Sequence, residues 1–256
     1  MQQWDPKQYL AFSDLRRRPA RDLLARVPLT RPTHVVDLGC GPGNVTRLLS
    51  ERWPEAKVTG VDRSPEMLAR ARAETPNIEW LEADMASWRP PQAVDLIYSN
   101  AALHWLEDPA GAMVNYLGWL NPGGVLAVQM PHNQAAPSHT GIAEAVAAMP
   151  NARHLMARIH HFPVTEPGVY YDGLKPHVAW LDIWECEYLQ VLEGEDAVVE
   201  WTKGTALAPL LQAMNAAEKE QFLDLYRARM RAAYPPRADG CTLFPFRRLF
   251  IVAGLG

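Results

Sequence analysis

The chain has few cysteines, no long apolar run and no charge of one overwhelming sign. Only 3 cysteines occur among 256 residues. Cys40, Cys186 and Cys241 lie far apart, and none belongs to a C-x-x-C pair or a Cys/His cluster. This excludes a disulfide-stapled scaffold and leaves no metal-ligand pattern, so reduced thiols and no metal are expected. No segment approaches the roughly 20 apolar residues needed to span a bilayer. The opening MQQWDPKQYL carries no signal-peptide pattern. A cytoplasmic location and no membrane partner are therefore expected. Formal net charge is −4, and no basic block is longer than Arg16–Arg18. That disfavours nucleic acid as a partner, and an anionic ligand would need a locally positive pocket. No internal repeat or low-complexity tract appears. Nothing in the sequence fixes an oligomeric state.

What remains is an ordinary globular composition, 48% hydrophobic and 21% charged. Its length suits one sizeable core. Strand and helix patterns alternate through the first half, which predicts βαβ units and a parallel sheet. Strands are expected at 34–38, 57–62, 78–82, 94–99 and 124–130. SPEMLARARA, opening at Ser64, has an N-cap serine followed by proline. A helix over 108–120 is expected to stop at Asn121-Pro122-Gly123-Gly124, read as a turn. Residues 131–175 are Pro- and His-rich, with short helical stretches. A long strand at 179–192, helices at about 195–213 and 215–233, and a last strand in CTLFPFRRLFIVAGL follow. The expected organisation is one domain over 1–256, with a ligand-binding core at 30–130 and cap segments at 131–175 and 195–235.

The strand His34–Leu38 runs into Gly39, Gly41 and Gly43, and a helical pattern begins at Asn44. Glycines permit a sharp turn and a close approach of backbone to a ligand, and the helix start offers free N–H groups. The dinucleotide fingerprint Gly-x-Gly-x-x-Gly would need glycine at position 44, which is Asn44. The pattern is instead Asp37-x-Gly39-x-Gly41-x-Gly43. Asp62 ends the second strand, where a carboxylate can accept from both ribose hydroxyls of a nucleoside. It could equally cap the helix starting near Ser64. Asp84 and Met85 follow the third strand, and Asp84 alone reads also as a solvated turn residue. Asn100 ends the fourth strand, facing the ligand end of such a sheet. His104 in the following segment fits a base, a substrate contact or packing.

This ordered set resembles the class I S-adenosyl-L-methionine (SAM)-dependent methyltransferases. The resemblance implies a Rossmann-like α/β fold: a mostly parallel seven-stranded sheet, helices on both faces and a helical cap insertion. It implies SAM as cofactor, leaving as S-adenosyl-L-homocysteine. Asp37, Gly39, Gly41, Gly43, Asp62, Asp84, Met85 and Asn100 would bind it, with Asp84 on the adenine amino group and the Met85 N–H on a ring nitrogen. The segment Ser99–Trp105 lacks the Asn/Asp-Pro-Pro-Tyr motif of enzymes that methylate base amino groups.

The two ends narrow the resemblance. Trp4-Asp5-Pro6-Lys7-Gln8-Tyr9, Arg16-Arg17-Arg18-Pro19, LNPGGVLAVQMPHN at 120–133, VYYDGL at 169–174, Trp201-Thr202 and FRRLFIVA at 246–253 are similar to the trans-aconitate 2-methyltransferase family. That implies esterification of one carboxylate of a tricarboxylate. A carboxylate is already ionised at pH 7, so no catalytic base is assigned. Cations must hold the carboxylates that do not react, and arginine suits them. Arg16, His104, His132 and Arg247 are the substrate-binding candidates. Arg17, Arg18, Arg248, Arg153, Arg158, Lys203 and His160-His161 are further cations, and Tyr170 and Tyr171 possible donors. Trp4, Tyr9 and Phe12 are candidates to cover the cofactor. Rival readings are another small acceptor (a carrier-bound diacid or a quinone-precursor carbon), a nicotinamide dehydrogenase, and a SAM-binding regulator.

Overall fold

The computed structural model describes residues 13–150, 152–159 and 164–256, with side chains described from residue 17 onward. Trp4, Tyr9, Phe12 and His160-His161 lie outside the described residues, as does the side chain of Arg16.

The described chain forms β1 (His34–Leu38), β2 (Lys57–Asp62), β3 (Glu79–Glu82), β4 (Val94–Asn100), β5 (Leu120–Pro131), β6 (Trp180–Leu192) and β7 (Thr242–Gly254). They make one seven-stranded sheet in the order β3-β2-β1-β4-β5-β7-β6. β1 to β5 are parallel, and β7 runs antiparallel to β5. β6 is antiparallel to β7, because Ala179 N–H donates to Gly254 C=O while Trp184 stacks on Phe250. This is the seven-stranded α/β sheet that the sequence predicts.

By chain contacts the residues gather into two compact units. The first unit comprises Arg17–Pro131, Pro163–Cys186 and Arg248–Gly256. It contains α1 (Ser13–Ala25) from Arg17 onward, α2 (Asn44–Arg52), α3 (Pro65–Glu74), α4 (Pro109–Leu117) and α7 (Pro167–Leu174). Period-2 alternation divides the strand side chains between two faces. One face presents Val36, Leu38, Ile97, Leu126, Val128 and Ile251 to Met113 and Tyr116 of α4 and to Tyr170 of α7. The other carries Asp37, Tyr98 and Gln129. There Thr46 of α2 donates to Asp37 Oδ2 at 2.6 Å, and the Tyr98 hydroxyl donates to the Ala20 carbonyl of α1 at 2.6 Å. The start of α3 follows its sequence signature: Ser64 Oγ accepts from Met67 N–H, and Pro65 opens the helix.

The second unit takes its described residues from 132–162 and 187–247. It holds α5 (Pro137–Ala147), α6 (Ala152–Met156), α8 (Ala197–Lys203), α9 (Ala208–Gln212) and α10 (Ala216–Ala233). Its core gathers Ile142, Leu155, Trp201, Phe222, Tyr226 and Phe244. α10 opens with a complete capping box between Asn215 and Glu218. No helix among the described residues is long and apolar enough to cross a membrane.

Two local expectations shift. Asn121-Pro122-Gly123-Gly124 lies inside β5 rather than in a turn before it. Val94 N–H donates to Trp119 C=O, Gly123 N–H to Gly256 C=O, and Leu255 N–H to Gly124 C=O. These tertiary partners on both sides draw the segment into the sheet, with a register shift opposite Val94 and Leu96. The turn is moved back to Gly118-Trp119. The helix expected at about 195–213 divides into α8 and α9 because Gly204 ends the first.

Tyr98 is fully buried, and its hydroxyl bond ties α1 to the sheet. Tyr98→Phe leaves the Ala20 carbonyl without that donor and should destabilise the fold by about 1–2 kcal/mol. Thermal denaturation should then show a midpoint lower by roughly 2–8 °C. An unchanged midpoint would mean that this bond does not anchor α1.

Candidate functional site

The carboxyl ends of β1, β2, β3 and β4 meet around the glycine turn. Gly39, Gly41 and Gly43 all take left-handed φ, at 74°, 54° and 82°. At Gly39 the need for glycine is also steric, since a Cβ there would lie 2.2 Å from the Ala102 Cβ. Gly41 faces open space, with nothing within 4 Å of a Cβ built on it. The turn thus brings bare backbone to the mouth of the sheet, next to the segment after β4.

Asp62 fastens this turn. Its Oδ2 accepts from Gly41 N–H at 2.8 Å, and its Oδ1 accepts from Ser64 N–H at 2.9 Å. Ser64 itself caps the following helix, so Asp62 does not serve as that cap, and its bond to Gly41 N–H is a role that neither reading of the sequence named. Each oxygen retains a second lone pair. Asp84 is exposed and opens the turn after β3, accepting from Ala86 N–H at 2.9 Å. Met85 is half-buried, and its carbonyl accepts from the Tyr116 hydroxyl at 3.0 Å. Its sulfur lies 3.8 Å from a Cβ built on Gly39, which places the β3 turn beside the glycine turn.

At the end of β4, Asn100 pairs in register with Gln129 of β5. The side-chain Oδ1 of Asn100 is buried with no donor among the described residues. Ala101 follows with φ 54°, its N–H bonded to Gln129 C=O. A non-glycine residue held in this region is strained, and such strain concentrates at ligand sites. The residues present are of the kind that suit a nucleoside ligand such as SAM: an orphaned acceptor, an open glycine turn and a carboxylate with spare lone pairs lie at neighbouring strand ends. This arrangement sits where the chain order reverses between β1 and β4, the usual ligand position in such sheets.

Comparison with known proteins agrees with this geometry. Residues 35–124 match a family model described as a methyltransferase domain. The chain is 50% identical over 253 residues to trans-aconitate 2-methyltransferase of Azoarcus sp. (strain BH72), with 99% of each chain covered. It is 48% identical over 255 residues to the Rhodopseudomonas palustris (strain BisB18) enzyme of that name, again with 99% of each covered. The chain belongs to the trans-aconitate 2-methyltransferase family. It is a class I SAM-dependent methyltransferase. In fold it is similar to the YcgJ protein of Bacillus subtilis, with a TM-score of 0.60 at 16% identity over 93% of this chain and 98% of that one.

The candidates for substrate contact in this family member are more scattered. His104 lies in a single 3₁₀ turn, Leu103–Trp105, buried to 6% exposure with its ring 5.1 Å from that of Trp105. Arg17, in the first unit, is half-buried, and Arg18 is exposed. His132 and Arg247 belong to the second unit, where His132 N–H donates to Arg247 C=O at 3.0 Å. Asn133 also clamps the Arg247 backbone, and the Arg247 side chain is exposed. Its neighbour Arg248 is 4% exposed, in line with strand alternation. Sequence reasoning passed over Gln129 entirely. Its signal was present: one amide in the otherwise apolar strand GVLAVQM, at the ligand end.

Electrostatically, Asp37 stands out. Burial pushes its carboxyl up to about 7, the Thr46 hydroxyl opposes this, and the Asp62 charge adds to it. An exposed aspartate titrates near 3.8, so the folded value is raised. The resulting stability is complete below about pH 4 and is lost as pH rises through about 7. Asp37→Asn keeps an acceptor for Thr46 and removes the titration. Ligand-free wild type should therefore lose stability relative to Asp37→Asn between pH 5 and 8, by ~1.4 kcal/mol per pH unit at most. Parallel melting-temperature curves for the two proteins would refute the raised value.

Proposed function

We propose that the chain transfers the SAM methyl group to one carboxylate of trans-aconitate, giving the monomethyl ester and S-adenosyl-L-homocysteine. The observation that carries this reading is likeness along 99% of the chain to two enzymes of that name. The ligand crevice at the ends of β1 and β4 supports it.

Gly39, Gly41 and Gly43 would admit the methionine and ribose parts against bare backbone. Asp62 would receive the ribose hydroxyls with the lone pairs that Gly41 and Ser64 leave over. Asp84 and the Met85 N–H would meet the adenine. The orphaned Asn100 Oδ1 would accept from a donor of the bound cofactor. When bound, SAM supplies an electrophilic methyl on a sulfonium.

The chain's own task is then positioning. The acceptor is already an anion at neutral pH, so no side chain need remove a proton. Holding the acid in line with the methyl and excluding water lower the barrier by orientation. His104, buried beside the crevice segment, would orient the acid rather than act as a base. The substrate is a small anion, and a protein of net charge −4 must meet it with local cations.

Mass spectrometry of products from SAM and a mixture of di- and tricarboxylic acids tests the reading. A gain of one methyl on trans-aconitate is expected, and methylation of a different acid alone would replace it. Asp62→Ala should weaken SAM binding by about 1–3 kcal/mol, since it also frees the Gly41 turn. Calorimetry on a folded variant with wild-type affinity would remove Asp62 from the cofactor site. His104→Ala should raise KM more than it lowers kcat, with no rate limb near pH 6–7 in the wild type. A single ionisation there, lost in His104→Ala together with turnover, would establish a general base instead.

A further inference from the structure

Two glycines leave room for one indole. Gly60 lies inside β2, between Thr59 and Val61, where glycine weakens a strand and marks the close approach of another group. That group is Trp80 of β3, its register partner. A Cβ built on Gly60 would lie 2.5 Å from the indole Cε3 and Cζ3. The ring crosses β2 over this bare position and reaches the glycine turn. A Cβ built on Gly43 would lie 2.5 Å from its Cη2 and 3.1 Å from its Cζ2. Cys40, also in the turn, brings its Sγ to 3.1 Å from the Cβ built on Gly60.

The ring is held in place. Its Nε1–H donates to the Thr75 carbonyl at 2.9 Å, where α3 ends, and the Trp80 carbonyl accepts from Arg72 Nη2 at 3.1 Å. Trp80 is buried, and Ala71 of α3 also meets Gly43, 3.2 Å from a Cβ built there. The indole is therefore a plate fixed to β3 and α3, with the glycine turn packed against it. A turn of three left-handed glycines has many alternatives in the free chain, and a ligand that had to order it would bind more weakly. Asp62 holds this turn at the Gly41 N–H. Gly43 N–H donates to Cys40 C=O at 3.1 Å, and Gly43 is the N-cap of α2. Fixing Gly43 thus fixes the far end of the turn and the start of the helix.

We propose that Trp80 is a positioning residue of the cofactor turn: packed against Gly43 and Gly60, it holds residues 39–43 in their ligand-ready geometry before SAM arrives. It acts through the turn and takes no part in methyl transfer. This inference rests on the reading above in which the glycine turn receives the cofactor.

The test measures two quantities in wild type, Trp80→Leu, Gly60→Ala and the double variant. One is the Kd of S-adenosyl-L-homocysteine by calorimetry, and the other is amide hydrogen exchange over residues 39–44. Trp80→Leu should raise Kd by roughly tenfold. Its exchange over 39–44 should be faster than wild type without ligand and equal to wild type with ligand saturating. Gly60 has no left-handed φ, so Gly60→Ala is opposed by neighbouring side chains alone. It should push the indole aside and raise Kd by a similar factor. Added to Trp80→Leu, it should change Kd by less than about twofold, because the clash is already gone. If Trp80→Leu does not fold, Gly60→Ala and Trp80→Phe decide in its place. Lower melting temperatures with unchanged Kd and unchanged ligand-free exchange would make Trp80 purely structural and overturn the proposal. Kd effects of Trp80→Leu and Gly60→Ala that simply multiply in the double variant would overturn it also. Wild-type exchange over 39–44 that ligand binding leaves unaltered would remove the cofactor from this turn and overturn both readings. Slowed exchange there, with Trp80 variants at wild-type Kd, would keep the cofactor in the turn and overturn the role of Trp80 alone.

Discussion

The constraint on which the site depends is the central position of β1 in the sheet, flanked by β2 on one side and β4 on the other. Chain order reverses there, so the connections leaving β1 and β4 diverge to opposite faces and leave a crevice between them. The backbone must turn out of β1 without filling that crevice. Gly39 does so with a left-handed φ at a place where any side chain would strike Ala102. Asp62, arriving from β2, then fixes the turn through Gly41 N–H. One strand order and one carboxylate thereby set the geometry of everything that a nucleoside could touch.

The same strand ends hold an unusual amount of buried polarity. Asp37, Ser99, Gln129 and Arg248 are almost fully buried, each beside apolar neighbours in its strand. Ser99 is satisfied by the Leu38 carbonyl and Asp37 by Thr46. Asn100 and Gln129 each keep one buried atom without a hydrogen-bond partner among the described residues. A fold selected for stability alone would place apolar residues there. Buried polar groups placed at the ends of strands are what a polar ligand site requires.

Much of the strand-end geometry around the glycine turn was readable in the linear chain. The glycine spacing, Asp62, Asp84 and Asn100 recur at successive strand ends, and local patterns locate those ends. Strands β1 and β2 coincide with their predicted bounds because short Val-rich runs ending in Gly or Asp have few alternatives. The Asn-Pro-Gly-Gly segment misled, since its turn chemistry yields to hydrogen bonds from the chain's own C-terminus. The break between α8 and α9 was equally hidden, because Gly204 is only one glycine in a helical pattern.

By itself, the sequence determined the fold class, the glycine turn and the carboxylates that surround it. These depend on spacing within one βα unit, and local sterics enforce them. Only the tertiary structure decided which of Arg247 and Arg248 is buried at the ligand end. That choice depends on the register of β7 against β5, Pro131 opposite Arg248, and a slip of one residue would exchange the two side chains between faces. The partnership of Arg248 with Gln129, 119 positions earlier, arises in the same way. Pairings of that separation leave no trace in a local pattern, because they exist only once the sheet has closed.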